Sequence, residues 1–182
     1  GMPRKYRPFL EPVMKIFRKW DRAAASRVHE FATISRAISN RIKSAFKREA
    51  RIIYPPVEIE RFKPSTRREN YYVALSRLVA HKRLDLVVEA FSKIKHPLMV
   101  IGAGPELKKL RAKAHPNVTF TGHQPDHVVA DLLSKARGLV RATEEDFGIA
   151  NVEAQAAGCP VLAYAAGGAL ETVLDNQTGV FF

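Results

Sequence analysis

"LMVIGAGPEL", residues 98–107, decides the fold class. Apolar residues run up to Ile101, then come Gly102, Ala103, Gly104 and Pro105, then a helical pattern. This is a buried strand, a tight turn and a helix entry. A strand ending in G-x-G also raises the question of dinucleotide binding. That fingerprint needs a third glycine, where this chain has Leu107, and an acidic residue about 20 positions on for the ribose. Gly122 and His123 stand there instead. The sequence therefore speaks against NAD or FAD. It gives the glycines to a strand-to-helix turn at the rim of a different nucleotide site.

The same rhythm extends both ways. "YYVALS" (71–76), "VTFTG" (118–122), "GLVRA" (138–142), "PVLAY" (160–164) and "GVFF" (179–182) read as strands. Helical patterns lie between them at 85–94, 105–114, 126–136, 149–157 and 169–175. In the first of these, Leu86, Val87, Ala90, Phe91 and Ile94 are expected inward. Strand and helix alternating through short loops predict an α/β fold, a Rossmann-like parallel sheet with helices on both faces. Ligands of such sheets sit at the carboxyl ends of the strands.

Upstream the pattern is different. "LEPVMKIFRKWDR" (10–22) reads as an amphipathic helix with Pro12 in its first turn. Leu10, Val13, Met14, Phe17 and Trp20 share one face. "EFATIS" (30–35) is a short strand, and Ser35 caps a helix to about Phe46 with Ile38, Ile42, Ala45 and Phe46 inward. "ARIIYPPV" (50–57) is a strand stopped by two prolines. The polar run 58–70 reads as a linker. The expected organisation is thus a short helical and βαβ segment over 1–57, a linker over 58–70, and a parallel-sheet domain over 71–182. Gly1-Met2 is expected to be a tag-removal scar.

The 182 residues carry a net charge of +12, unevenly spread. Residues 1–70 hold 18 Lys/Arg against 7 Asp/Glu, and residues 71–182 hold 12 against 11. A basic face of this kind meets lipid or nucleic-acid phosphate, or is a solvated surface or a contact for an acidic domain. No run of apolar residues is long enough to span a membrane. The single cysteine, Cys159, excludes an internal disulfide and fits a reducing compartment, hence a cytoplasmic location. It sits among small residues and reads as packing.

The chemistry concentrates in "EEDFGIANVEAQAAGCPVLAYAAGGALETV", residues 144–173. Glu145 and Glu153 flank Phe147-Gly148, with a helix starting after the glycine. Helix starts favour anions, and carboxylates accept paired hydroxyl hydrogen bonds, as from a sugar or ribose. His123 and His127 are spaced i,i+4 with no third ligand in view, so a polar loop lining a base pocket is favoured over a metal.

These words resemble the C-terminal half of the family-4 glycosyltransferases, retaining enzymes of the GT-B fold. The matching residues are Glu145, Phe147, Gly148, Glu153, Ala154, Ala156, Gly158, Pro160, Val161, Gly167, Gly168, Glu171 and Val173. "SRLVAHKRLD" supplies the family's loop arginine and lysine, here Arg77 and Lys82. "IGAGPELKKL" and "NVTFTGHQPD" fit its next two units; "ATISRAISNRI" and "IIYPPVEIERF" resemble its N-terminal domain's last unit and the crossover. Asn151 departs from the proline that close relatives often carry.

The resemblance implies a hexosyltransferase, expected as a mannosyltransferase of polysaccharide biosynthesis, with residues 1–57 as the tail end of the N-terminal acceptor domain and 71–182 as the nucleotide-sugar-binding domain, incomplete at its C-terminus. It would use a nucleotide-diphosphate sugar such as GDP-mannose and act on a lipid-linked or saccharide acceptor. No metal or other cofactor is implied. Arg77 and Lys82 would hold the diphosphate, Glu153 the ribose, and Glu145 the transferred sugar, these first two and Glu145 forming the catalytic set. Phe147, Gly148 and Ile149 would meet sugar hydroxyls or phosphate, and Gly102 and His123 would line the donor site. The basic N-terminal region is expected to touch the inner face of the membrane peripherally. Two other classes remain open: a nucleotide-sugar-binding fragment that needs a partner domain, and a nucleic-acid binder. The last lacks any aromatic-interleaved or helix-turn-helix signal.

Overall fold

A computed structural model describes residues 7–182. Gly1, Met2 and the basic Arg4 and Lys5 lie outside the described residues. The chain divides into two compact units, the first ending at Tyr54 and the second running from Pro55 to Phe182.

In the first unit, α1 (Arg7–Ala25) begins earlier than expected, so Pro12 lies in its second turn. Its apolar stripe is uncovered: Val13, Met14, Phe17 and Trp20 are all exposed. A βαβ unit follows. β1 (Phe31–Thr33) pairs in parallel with β2 (Ala50–Ile52), joined by α2 (Arg36–Phe46). Ser35 caps α2 as expected, its hydroxyl accepting from the Ile38 amide at 3.1 Å. Ile38, Ile42 and Phe46 are half-buried, but Ala45 is exposed. Phe46 stacks on Phe31 instead, with ring centroids 5.9 Å apart.

The second unit is the predicted Rossmann-like sheet. Six parallel strands lie in the order β5-β4-β3-β6-β7-β8. They are β3 (Tyr72–Leu75), β4 (Leu98–Ile101), β5 (Val118–Gly122), β6 (Leu139–Arg141), β7 (Val161–Ala163) and β8 (Gly179–Phe181). Between them run α3 (Leu84–Ile94), α4 (Leu107–Lys113), α5 (Asp126–Lys135), α6 (Ile149–Ala156) and α7 (Ala169–Thr172). Adjacent residues of β3 feed opposite cores. Val73 joins Leu133, Ala154 and Val173 on one face; Ala74 joins Val88, Phe91 and Leu110 on the other. This two-sided burial is why the strands read as continuous apolar runs.

Two expectations need correction. The buried face of α3 is Leu84, Val87, Val88, Phe91 and Ser92, while Leu86, Ala90 and Ile94 are exposed. Leu84 opens the helix and sets a stripe at i, i+3, i+4 and i+7, which wins over the stripe one or two positions on. The segment 58–70 is also no tether. Phe62 is buried in the core beside α5 and α6 residues. The Glu69 amide donates to the Lys135 carbonyl at 2.8 Å. Arg68 donates to the carbonyls of Ala136, at 2.8 Å, and Gly158. One buried aromatic, one main-chain hydrogen bond and one arginine side chain fasten a stretch whose average composition is polar.

Candidate functional site

The strand order reverses between β3 and β6; Arg77, Lys82, Glu145 and Glu153 follow those two strands, while Gly102 and His123 follow β4 and β5. The loop after β3 holds Arg77, and a short 3-10 turn (Ala80–Lys82) ends in Lys82. The loop after β6 holds Glu145 and Phe147 and ends at Gly148, the N-cap of α6. Thr143 ties the two loops together, its hydroxyl donating to the His81 carbonyl at 2.9 Å. In open parallel sheets the crevice at such a reversal is where ligands bind.

Glycines lock both loops by close approach. A Cβ on Gly102 would lie 1.9 Å from the Ser76 carbonyl oxygen, and its φ is +134°. The turn after β4 therefore packs main chain against main chain on the loop that presents Arg77. Leu78 completes the contact, donating to the Ala103 carbonyl at 2.9 Å and accepting from the Glu106 amide at 3.0 Å. Across the reversal, a Cβ on Gly168 would lie 2.3 Å from Phe147 Cα, and the Gly168 amide donates to the Glu145 carbonyl at 2.7 Å. The Gly-Gly turn thus fixes the backbone from Glu145 to Phe147.

A cavity of about 430 Å³ opens at the carboxyl edge of β3 and β4. Arg77, Gly102, His123 and Glu153 all line it, together with Arg61, Gln124 and Asp126. Arg77 is exposed, and among the described residues its guanidinium has no ion-pair partner. Glu153, on the second turn of α6, is mostly buried and accepts from the Arg61 guanidinium. The same guanidinium reaches Asp126 at 2.9 Å and lies over the Phe62 ring at 4.8 Å.

Lys82 and Glu145 form a second centre outside that lining. The Lys82 ammonium donates to both Glu145 oxygens, at 3.0 and 2.9 Å. Arg141, the last residue of β6, donates to Glu145 and to the Leu75 carbonyl. Burial draws the Arg141 guanidinium below its ordinary pKa, against the opposing pull of Glu145. Phe147, Gly148 and Ile149 lie at the start of α6, beside this centre in sequence and outside the cavity lining.

Two residues escaped the sequence reading. Arg61 sat in the supposed linker, and only its place before a buried phenylalanine marked it. Arg141 was visible as a lone charge in the strand "GLVRA". Asn151, the departure from proline, is 1% exposed. Its main-chain amide donates to the Gly148 carbonyl at 2.8 Å, a bond proline lacks. Its side chain donates to Thr172 of α7 at 3.2 Å. Among the described residues no three His, Cys, Asp or Glu side chains group as a metal site. His123 sits on the cavity wall.

The family model for glycosyl transferases group 1 matches residues 57–182. The chain belongs to this family. It is 36% identical over 180 residues to the GDP-mannose-dependent alpha-(1-6)-phosphatidylinositol monomannoside mannosyltransferase of Mycobacterium tuberculosis, covering 81% of this chain and 46% of that protein. The chain thus spans about half the length of the curated relatives it matches. Among solved structures it superposes on sucrose-phosphate synthase from Thermosynechococcus elongatus with a TM-score of 0.79 at 22% identity, covering 92% of this chain and 48% of that one. It superposes on Anabaena HepE, in complex with UDP and glucose, with a TM-score of 0.78 at 21% identity, covering 91% and 52%. These likenesses establish the fold as the C-terminal half of GT-B.

Proposed function

We propose that this chain is the donor-binding part of a retaining glycosyltransferase. It takes a hexose from a nucleotide-diphosphate sugar, with GDP-mannose as the favoured donor, for a saccharide or lipid-linked acceptor. One observation carries the proposal: at the reversal of strand order, Arg77 and Glu153 line a cavity, and Lys82 and Glu145, on the loops after β3 and β6, pair outside its lining. Membership of the family and the mannosyltransferase name of a 36% identical relative support it.

The roles follow from charge and place. Arg77 is a cation on the cavity wall without an ion-pair partner among the described residues, suited to a phosphate. Lys82 is the second cation on the same loop. Together they would offset the negative charge that grows as the sugar–phosphate bond breaks, a preorganised electrostatic effect. Glu153, held by Arg61 through one oxygen, has its other oxygen for ribose hydroxyls. Glu145 would meet the sugar, with the start of α6 at Phe147, Gly148 and Ile149 beside it. Gly102 and His123 form the wall where the base would lie. No metal or further cofactor enters the scheme.

The basic, apolar-faced α1 suits a peripheral contact with an anionic membrane at its cytoplasmic face, where a lipid-linked acceptor would reside. Among the described residues no helix is long and apolar enough to cross a membrane.

The chain spans 46% of its relative, which favours a second reading: this part binds the donor and needs a partner domain for transfer. A thermal-shift panel of GDP, UDP, ADP and GDP-mannose tests the donor reading. Stabilisation by a nucleoside diphosphate and by its sugar conjugate is expected; no shift with any of them overturns it.

A further inference from the structure

Arg141 is a cation where the fold asks for an apolar residue. It ends a central strand, is 8% exposed, and follows Leu139 and Val140. Among the described residues its Nε has no hydrogen-bond partner. A buried ion pair seldom stabilises more than a well-packed apolar residue would, so stability alone is a weak reason for this charge. Its two partners are informative. One is the Leu75 carbonyl, at the end of β3; the other is the Glu145 carboxylate.

Glu145 therefore stands between two cations of different character. Arg141 is rigid, buried and permanently charged. Lys82 sits on a short turn at the end of a flexible stem and grips both carboxylate oxygens, at 3.0 and 2.9 Å. In that state the lysine ammonium is spent on Glu145 and is not offered to a phosphate. Were Lys82 the carboxylate's sole partner, drawing it away would strand a charge whose side chain is only 16% exposed.

We infer that Arg141 is a positioning residue: it holds Glu145 in place and supplies its counter-charge, so that Lys82 can leave the carboxylate for the donor's diphosphate. The inference rests on the donor-site reading above. Arg141 touches no ligand itself. It acts through Glu145 on the availability of Lys82.

The test is calorimetry of GDP, UDP and guanosine on the full chain. The proteins are wild type, Arg141→Met, Glu145→Gln and the double variant. Arg141→Met is expected to weaken GDP binding about tenfold, the scale of one charge-assisted contact, and to leave guanosine unchanged. Adding Glu145→Gln removes the carboxylate that detains Lys82, so the double variant regains wild-type GDP affinity or better. An arginine needed only for folding would weaken GDP and guanosine together, and Glu145→Gln would not rescue it. Equal GDP affinity in wild type and Arg141→Met, or a loss that persists in the double variant, overturns the inference. Should Arg141→Met fail to fold by circular dichroism, Arg141→Lys replaces it. A smaller loss of GDP affinity is then expected, again relieved by Glu145→Gln, and an unrelieved loss overturns the inference. Wild-type protein that binds neither GDP nor UDP would refute the donor site itself and this inference with it. Wild-type GDP binding that Arg141→Met leaves intact refutes the inference alone.

Discussion

Gly102→Ala is the sharpest test of how the fold builds the site. Two costs add. An L-residue at φ +134° occupies a region that is essentially glycine-only, at about 1–3 kcal/mol. The new Cβ would also lie 1.9 Å from the Ser76 carbonyl oxygen, so backbone must move, at about 1–3 kcal/mol more. A loss near 3 kcal/mol shifts a urea midpoint by about 1.5 M at a slope of about 2 kcal/mol/M. Gly122→Ala is the matched control. Its φ is +73°, but a Cβ there meets nothing within 4 Å, so only the backbone conformation costs, about 1–2 kcal/mol. The assay is far-ultraviolet circular dichroism. The single tryptophan is Trp20, in the first unit, and its fluorescence would follow the wrong part of the chain. Because Ser76 precedes Arg77, GDP affinity should fall in Gly102→Ala alongside stability. Equal urea midpoints for the two variants would show that the turn after β4 does not press on the Arg77 loop.

Further outcomes are expected. Arg77→Ala should weaken nucleoside-diphosphate binding by about 1.5–3 kcal/mol while nucleoside binding is unchanged, measured by calorimetry; equal affinity refutes the phosphate role. Glu153→Gln should weaken a ribonucleotide but not its 2′,3′-dideoxy analogue, so the gap between the two ligands should close. Burial pushes the Cys159 thiol up to about 11 and the Tyr71 hydroxyl up to about 12. The unfolded chain loses these protons first, so their stabilisation is full below about pH 9 and is lost as pH rises through these values. Alkaline urea titrations should show this, with an earlier part of the loss missing in Cys159→Ala. Sedimentation with anionic vesicles at low salt should pull the chain down through α1 and fail at high salt.

The fold was legible because burial on both faces of the sheet wrote itself as unbroken apolar strands. The turns were legible because glycines mark backbone contacts that no other residue permits. Helix faces were less secure. In α3 two apolar stripes overlap, and only packing against the sheet chose the one beginning at Leu84. Segment 58–70 was misread for a similar reason. Average polarity says nothing of a single buried Phe62 or of an arginine whose partners, Asp126 and Glu153, lie 65 and 92 positions away.

The electrostatics of the site were the least legible. The family resemblance paired Arg77 with Lys82 as two cations for one diphosphate. The structure gives them unequal starting states: Arg77 lines an open cavity, whereas Lys82 is already bound to Glu145. A lysine held by a carboxylate can serve a phosphate only if the carboxylate tolerates its departure. That tolerance depends on a residue three-dimensionally behind Glu145, and four positions before it in the chain. Arg141 looked like an odd member of a strand because its partner lies beyond the strand's end. The charge that breaks the apolar pattern of β6 is, on the proposed donor reading, what makes the acid beside it compatible with a diphosphate site.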